Sequence, residues 1–327
     1  MRDTSLSWQK KLAEGFTSVT DLLNFLELPI INGSPLAEQQ FPSRIPWGFA
    51  NRMQKGNPDD PLLLQVLAVK DELLTDEGYS LDPLIELNAN PVKGLIHKYY
   101  GRVLLTLTGV CAVNCRYCFR RHFPYQDNNP GRRGWRELID YIAQDSTITE
   151  VILSGGDPLL ASDLVLAELI QHLESIPHVH TLRVHTRIPI VFPERVDKNL
   201  IKILAETRFK TVIVLHCNHA QELDDSVRKA CYDLKQAECH LLNQSVLLSG
   251  INDNPDILAS LSQKLFSFGV LPYYLHVLDK VKGAAHFDMP IAKAQEIYQQ
   301  LQCLLPGYLV PRLACEEPGR QSKTLLI

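Results

Sequence analysis

Long apolar runs and a strong charge imbalance are both missing from this sequence. No stretch approaches the roughly 20 consecutive apolar residues that a membrane-spanning helix requires, so we expect no association with a membrane. The formal net charge is −4 over 327 residues, which predicts no basic surface for nucleic acid. The first residues also lack the apolar core of a signal peptide, so the expected location is cytoplasmic.

What remains is the composition of a globular protein. Hydrophobic residues make up 45% of the chain and charged residues 21%, values that are typical of folded domains. The length allows one large core or two ordinary domains. A sizeable hydrophobic core is therefore expected.

Three of the eight cysteines fall within one short segment. Cys111, Cys115 and Cys118 have the spacing Cys-x3-Cys-x2-Cys, and they follow the apolar run 102–108, which predicts a buried strand that ends at Gly109. In α/β proteins, loops at the carboxyl ends of strands are where ligands bind. The other cysteines show no partner spacing; they are Cys217, Cys231, Cys239, Cys303 and Cys315.

Clustered thiolates select iron–sulfur clusters, zinc or copper(I). Three thiolates on a [4Fe–4S] cluster leave one iron open for a small chelating molecule. The alternative is a zinc site with His122 as fourth ligand, although structural zinc sites usually combine two separated ligand pairs. A disulfide is a weaker alternative, because cytosolic thiols stay reduced.

The cysteine segment resembles the signature of radical S-adenosylmethionine (SAM) enzymes, in which the open iron of the cluster binds SAM. One β–α unit later, Ser154-Gly155-Gly156-Asp157 is similar to the glycine motif that contacts SAM in that superfamily. By itself this motif is also typical of a structural turn. Arg183 and Arg187, near the end of the next strand, fit either a SAM contact or a structural role.

Strands and helices alternate from about residue 93 onwards, which predicts an α/β fold with a parallel sheet and right-handed crossovers. The predicted strands are 103–107, 151–154, 182–186, 211–215, 241–247 and 272–277, with a further short run at 308–313. The predicted helices between them are 135–144, 163–175, 197–206, 220–237, 255–268 and 291–304. The resemblance implies a partial (β/α)6 TIM-like barrel, and a doubly wound sheet is the alternative.

The chain is expected to have three parts. Residues 1–95 are predicted to form a mostly helical cap, with helices at 18–28 and 61–74. Residues 96–307 are the predicted radical SAM core, and residues 308–327 are a short C-terminal segment.

Several motifs resemble the lysine 2,3-aminomutase family. They are Cys115–Phe123, Leu153–Leu159, Tyr274–Val281 and Gly283–Phe287. Segments 49–62 and 242–248 are most similar to its short bacterial branch, the EpmB type. The resemblance implies three cofactors, a [4Fe–4S] cluster held by Cys111, Cys115 and Cys118, SAM, and pyridoxal 5′-phosphate (PLP).

The resemblance also implies the residue that holds PLP. Lys323 matches the Schiff-base lysine, which PLP chemistry requires. Glu316 stands where the longer fermentative members have aspartate, and residues 320–322 replace their glycine run. Lys98 and Arg102 match the positions that bind the PLP phosphate.

The substrate contacts follow by the same resemblance. Asp279 and Glu316 are expected to bind the side-chain ammonium of L-lysine, and Arg120 its carboxylate. From the residues alone, an ion pair of Asp279 with Lys280 or Lys282 on a solvated loop is the alternative.

The function implied is an isomerase that converts L-lysine to (R)-β-lysine, which a separate ligase attaches to elongation factor P, with a reductant such as flavodoxin. One alternative is a radical SAM enzyme that acts on another amino acid, such as glutamate 2,3-aminomutase, or on RNA or protein. The other is a non-enzymatic iron–sulfur or zinc module.

Overall fold

The computed structural model describes residues 7–326, and one sheet organises this part of the chain. Its nine strands lie side by side in chain order. The strands are Leu95–Tyr99 (β1), Arg102–Thr108 (β2), Glu150–Gly155 (β3), Thr181–Thr186 (β4), Lys210–His216 (β5), His240–Val246 (β6), Leu271–His276 (β7), Arg312–Cys315 (β8) and Thr324–Leu325 (β9).

Strands β2 to β8 pair in parallel, whereas β1 is antiparallel to β2 and β9 is antiparallel to β8. A doubly wound sheet reverses its strand order at a switch point, and this sheet does not, so that alternative is wrong. Within residues 7–326, β1 and β9 each have one neighbour, so the barrel is open. The predicted partial barrel is confirmed, with a helix after each strand from β2 to β7.

Five α-helices of the described part precede β1, and the others lie between the strands. The α-helices of the described part are Trp8–Ala13, Val19–Phe25, Pro35–Gln40, Trp47–Ala50, Pro61–Leu64, Tyr125–Asn128, Gly131–Gln144, Asp163–Glu174, Ile188–Val191, Lys198–Glu206, Asp225–Gln236, Pro255–Ser267 and Ile291–Leu304. Side-chain caps fix several starts; for example, the Oδ1 atom of Asp197 accepts hydrogen bonds from the N–H groups of Asn199 and Leu200.

The predicted helix over 61–74 is wrong. It ends at Leu64, and only a 3₁₀ turn forms later, at Lys70–Leu73. The carbonyls of Gln65 and Ala68 accept hydrogen bonds from the N–H groups of Arg116 and Ser34 instead of from helical donors. Tertiary contacts thus replace the helix that the apolar spacing predicts.

Other elements also differ from the prediction. The helix predicted to begin at residue 220 begins at Asp225, after a 3₁₀ turn. The run 308–313 contains a 3₁₀ turn before the last parallel strand begins at Arg312. The short antiparallel strands β1 and β9 are not predicted by the sequence pattern.

The main core lies between the sheet and its outer helices. Buried strand side chains such as Val151, Leu153, Leu182 and Ile213 are part of this core. The carboxyl ends of the strands line a cavity. Residues just before β1, among them Leu84 and Glu86, line it as well. Nowhere in residues 7–326 is there a helix with the length and apolar character needed to cross a membrane.

Candidate active site

A cavity of about 600 Å³ opens at the carboxyl ends of the parallel strands. It brings together every site residue predicted from the sequence. These are Lys98, Arg102, Cys111, Cys115, Cys118, Arg120, Ser154, Gly155, Gly156, Asp157, Asp279, Glu316 and Lys323. Residues that lie as far apart in the sequence as Lys98 and Lys323 therefore meet in one place.

The three clustered cysteines lie on the loop that follows β2. Burial raises the pKa of the Cys118 thiol to about 11, and the nearby Cys115 adds to this effect. Burial likewise raises the pKa of Cys111 well above its ordinary value, with Cys118 as the next contribution. Binding of a metal to these thiols would therefore be coupled to release of protons.

A buried ionic group fixes this loop. The Arg116 side chain is fully buried, with its Nη2 2.6 Å and its Nε 2.8 Å from the Glu72 carboxylate. Arg121 donates to the same carboxylate over 2.7 Å. Because Glu72 lies before β1, the loop is held from outside the barrel.

The zinc alternative has little geometric support. His122, its proposed fourth ligand, has its Nε2 3.1 Å from the carbonyl oxygen of Lys282. Among the residues that the structure describes, no group of three or more histidine, cysteine or acidic side chains is placed to hold a single metal ion. In a cluster each thiolate binds a different iron, so the sulfur atoms need not converge on one point.

Arg187 lies beside the cysteine loop. Its Nη1 is 2.8 Å from the Sγ of Cys115 and 2.7 Å from the hydroxyl of Tyr117, and its Nη2 is 2.9 Å from Glu222. The sequence left Arg187 open between a cofactor contact and a structural role. The structure shows that it contacts a clustered thiol directly, whereas Arg183 forms an ion pair with Glu150.

The glycine motif packs tightly on the cysteine loop. A Cβ atom on Gly156 would lie 2.4 Å from the carbonyl oxygen of Val110, and Gly155 has a φ of +105°, which disfavours other residues. The N–H of Gly156 donates to the carbonyl of Thr108 over 2.7 Å. Glycine is thus needed here to bring two strand ends together.

Asp157 joins the ends of two strands. Its carboxylate accepts hydrogen bonds from the Thr186 hydroxyl at 2.7 Å and from the N–H of Arg187 at 2.7 Å. Burial raises its pKa to about 6, against the lowering effect of these hydrogen bonds. Its side chain therefore supports the shape of the site.

Five alternating charges run along one side of the cavity. Lys323 Nζ is 2.9 Å from Glu316, Lys98 Nζ is 2.8 Å from Glu316 and 3.1 Å from Glu86, and Arg120 Nε is 2.6 Å from Glu86. Burial favours protonation of Glu316, but Lys323 and Lys98 outweigh it and lower its pKa far below the usual range. Glu86 was not found by sequence analysis, since it carries no motif.

Asp279 lines the same cavity, and the neighbouring Lys280 does not form an ion pair with it. The Lys280 ammonium lies over the ring of Tyr79, 5.9 Å from its centroid. Burial raises the pKa of Asp279 to about 7, and the negative charge of Glu316 adds to this shift. Arg102 also lines the cavity, and its guanidinium packs on the ring of Tyr99, 4.7 Å from the ring centroid.

Three imidazoles line the cavity, and no sequence motif marks them. His185, His216 and His276 come from β4, β5 and β7, and burial lowers the pKa of each, so they are neutral. His216 Nε2 lies 3.0 Å from Gln244 Nε2. In the described part of the protein, the Nε2 atoms of His185 and His276 have no hydrogen-bond partner, and a bound polar molecule would supply one.

Comparison with known proteins agrees with this geometry. Residues 105–255 match the model of the radical SAM superfamily. The chain is 50% identical to L-lysine 2,3-aminomutase of Haemophilus influenzae, over 98% of this chain and 95% of the relative. It is 48% identical to L-lysine 2,3-aminomutase of Escherichia coli, over 98% of this chain and 94% of the relative. The chain belongs to the lysine 2,3-aminomutase family of radical SAM enzymes.

The family also has longer members. L-lysine 2,3-aminomutase of Clostridium subterminale is 37% identical over 84% of this chain, which corresponds to 66% of that relative. The chain therefore covers nearly all of the two shorter relatives but only 66% of the longer one. This agrees with the resemblance of segments 49–62 and 242–248 to the short bacterial branch.

The cofactors of an aminomutase of this family are a [4Fe–4S] cluster, SAM and PLP. The cavity fits them in chemical type. It offers three soft thiols, a lysine amine beside a carboxylate, and two unpartnered imidazole nitrogens. The cavity volume of about 600 Å³ is in the range of protein pockets that bind a drug-sized molecule.

Proposed function

We propose that this chain converts L-lysine into (R)-β-lysine by moving the amino group from C2 to C3, and that a separate ligase attaches the product to elongation factor P. One observation carries the activity: thiols, a partly buried lysine and an ordered row of charges line a single cavity. The similarity to named L-lysine 2,3-aminomutases supports the same activity.

Cys111, Cys115 and Cys118 would hold the cluster and leave one iron open for SAM. Ser154, Gly155 and Gly156 would lie against SAM, while Asp157 fixes the turn that presents them. Arg187 would donate to the thiolate of Cys115 and stabilise its charge.

Lys323 would hold PLP through its amine. Glu316 keeps this amine positioned from seven residues earlier in the chain. Lys98 and Arg102 would bind the phosphate, and Lys98 already lies between two carboxylates. When bound, the cluster and SAM supply a radical that removes hydrogen, and PLP carries the migrating nitrogen.

The substrate would lie between the two ends of the charge row. Arg120 would bind its carboxylate with a planar fork, and Asp279 and Glu316 would bind its side-chain ammonium. An acidic side chain, as in glutamate, would meet these two carboxylates, so their positions in one cavity argue against a glutamate 2,3-aminomutase. The buried walls would exclude water from the reacting groups.

The wider setting is also part of the proposal. We place the enzyme in the cytoplasm, with a reductant such as flavodoxin and with neither nucleic acid nor membrane as a partner. Residues 1–95 would act as the cap, 96–307 as the radical SAM core and 308–327 as the segment with the PLP lysine; residues 1–6 and 327 lie outside the described part.

Anaerobic incubation with L-lysine, SAM, PLP and dithionite tests the activity. We expect β-lysine, detected by mass and separated by chromatography as the R enantiomer. L-Glutamate under the same conditions serves as the comparison substrate and should give no product. Conversion of glutamate but not of lysine would contradict the proposal.

A further inference from the structure

Glu86 lies on the segment that leads into β1. Its side chain is buried and lines the cavity. It follows Ile85, which has a φ of +49° although its side chain is β-branched. This left-handed conformation is rare for such a residue and turns the chain sharply. The exposed Ile85 and the buried Glu86 therefore point to opposite sides.

The carboxylate of Glu86 binds two cations at once. Its Oε2 lies 2.6 Å from Arg120 Nε, and its Oε1 lies 2.8 Å from Arg120 Nη2. Oε1 is also 3.1 Å from Lys98 Nζ. Burial favours protonation of Glu86, but Arg120 and Lys98 outweigh it and lower its pKa, so the carboxylate is charged.

Counting donors shows what remains for a ligand. A guanidinium has five N–H groups in a fixed plane. Glu86 accepts from Nε and from one hydrogen of Nη2, and the Ser154 hydroxyl accepts from one hydrogen of Nη1 over 3.1 Å. One hydrogen on each terminal nitrogen is left, and these two are available to a carboxylate.

We propose that Glu86 is a positioning residue, which orients Arg120 for the α-carboxylate of the substrate and so gives the site its preference for a free carboxylate. The inference rests on the proposed function and adds a selectivity to it. Glu86 acts through Arg120, and the Nε–Oε2 and Nη2–Oε1 contacts hold the guanidinium plane. The contact of Glu86 with Lys98 links the Arg120 guanidinium to the rest of the row of charges, which ends at Lys323.

The test compares L-lysine with L-lysinamide, which lacks the carboxylate. Each is titrated into the protein loaded with cluster and PLP, without SAM or reductant, and binding is read from the change in PLP absorbance. In the wild type we expect lysine to bind more tightly. In Glu86→Gln we expect lysine affinity to fall about tenfold or more, as expected for loss of a charged hydrogen bond, while lysinamide affinity changes by about twofold at most.

Two controls separate positioning from folding. Glu77→Gln makes the same change at an exposed site on the same segment, and the ratio of the two affinities should stay at the wild-type value. Iron and sulfide content and thermal unfolding check that each variant is folded. Should Glu86→Gln fail to fold, Glu86→Asp, with its carboxylate drawn back, should still reduce the ratio.

A wild-type ratio in a folded Glu86 variant would overturn the inference, and so would equal loss of affinity for both ligands. An absence of preference for lysine in the wild type would overturn it as well. The proposed function fails by a different result, namely no β-lysine from the wild type in the anaerobic assay. The two failures are therefore distinguishable.

Discussion

Glu316 Oε2 lies 2.9 Å from Lys323 Nζ, seven residues further along the chain. The same carboxylate contacts Lys98 through its other oxygen at 2.8 Å. This places the amine of Lys323 at one end of a row of ionic contacts.

If Lys323 holds PLP, Lys323→Ala should remove the visible absorbance of the lysine-bound cofactor. Iron and sulfide content should remain at the wild-type level, because the thiols are on a separate loop. Lys293→Ala, at an exposed ion pair with Glu296, should keep the absorbance. Retention of the band in Lys323→Ala would exclude this lysine as the attachment point.

Replacing Cys115 by alanine should lower iron and sulfide content after anaerobic reconstitution, because one of three cluster ligands is lost. Cys303→Ala, at an exposed cysteine, is the matched control and should bind iron normally. Metal analysis that finds a single zinc ion in the wild type, with neither iron nor sulfide, would refute the cluster assignment.

Asp279 should make lysine binding depend on pH. Its pKa is raised to about 7, mainly by burial. Above that pH the carboxylate is charged and attracts the substrate ammonium, whereas below it the carboxyl is protonated and binding weakens. Titration of the PLP-loaded protein at pH values on both sides of 7 measures this.

The Asp279→Asn variant should bind lysine weakly and lose most of this pH dependence. Asp253→Asn, at an exposed aspartate, is its control. Wild-type affinity in Asp279→Asn would remove Asp279 from the substrate site.

Arg116→Ala should destabilise the fold strongly. It leaves the buried Glu72 with one cation instead of two, and breaking a buried ion pair costs about 3–5 kcal/mol. Arg136→Ala removes an exposed pair with Asp140 and should cost at most about 1 kcal/mol. Urea unfolding of the cofactor-free protein compares the two; equal midpoints would show that Arg116 adds little.

Gly156→Ala should disturb the contact between the glycine motif and the cysteine loop. The new Cβ would lie 2.4 Å from the Val110 carbonyl oxygen and 2.7 Å from its nitrogen, and such overpacking costs about 1–3 kcal/mol. We expect lower thermal stability and reduced iron uptake. Gly307→Ala, where the Cβ meets open space, should change neither, and equal behaviour of the two variants would argue against this packing role.

The sequence was informative where chemistry depends on local spacing. The cysteine loop, the glycine motif and the parallel strands each have a pattern within a few residues, and the strand predicted at 103–107 lies within one residue of the observed ends of β2. The helix over 61–74 was wrong because distant N–H groups of Ser34 and Arg116 bind its carbonyls. Spacing of apolar residues contains no information about such partners.

The same limit applies to the site. Glu86 and Arg120 are 34 residues apart, and Lys98 and Glu316 are 218 apart. These pairs exist only once the sheet has formed, so a sequence without an aligned motif at Glu86 does not reveal it. The resemblance supplied Lys98, Arg120 and Glu316 as separate positions, and the structure shows the carboxylate that joins two of them.

The segment that carries Lys323 is attached to the sheet by strand β9, which pairs Leu325 with Ala314 and Thr324 with Cys315. The N–H of Leu326 also donates to the carbonyl of Leu313 over 3.0 Å. The position of the segment around Lys323 therefore depends on one short strand. If Lys323 holds PLP, substitutions that break this pairing would also displace the cofactor.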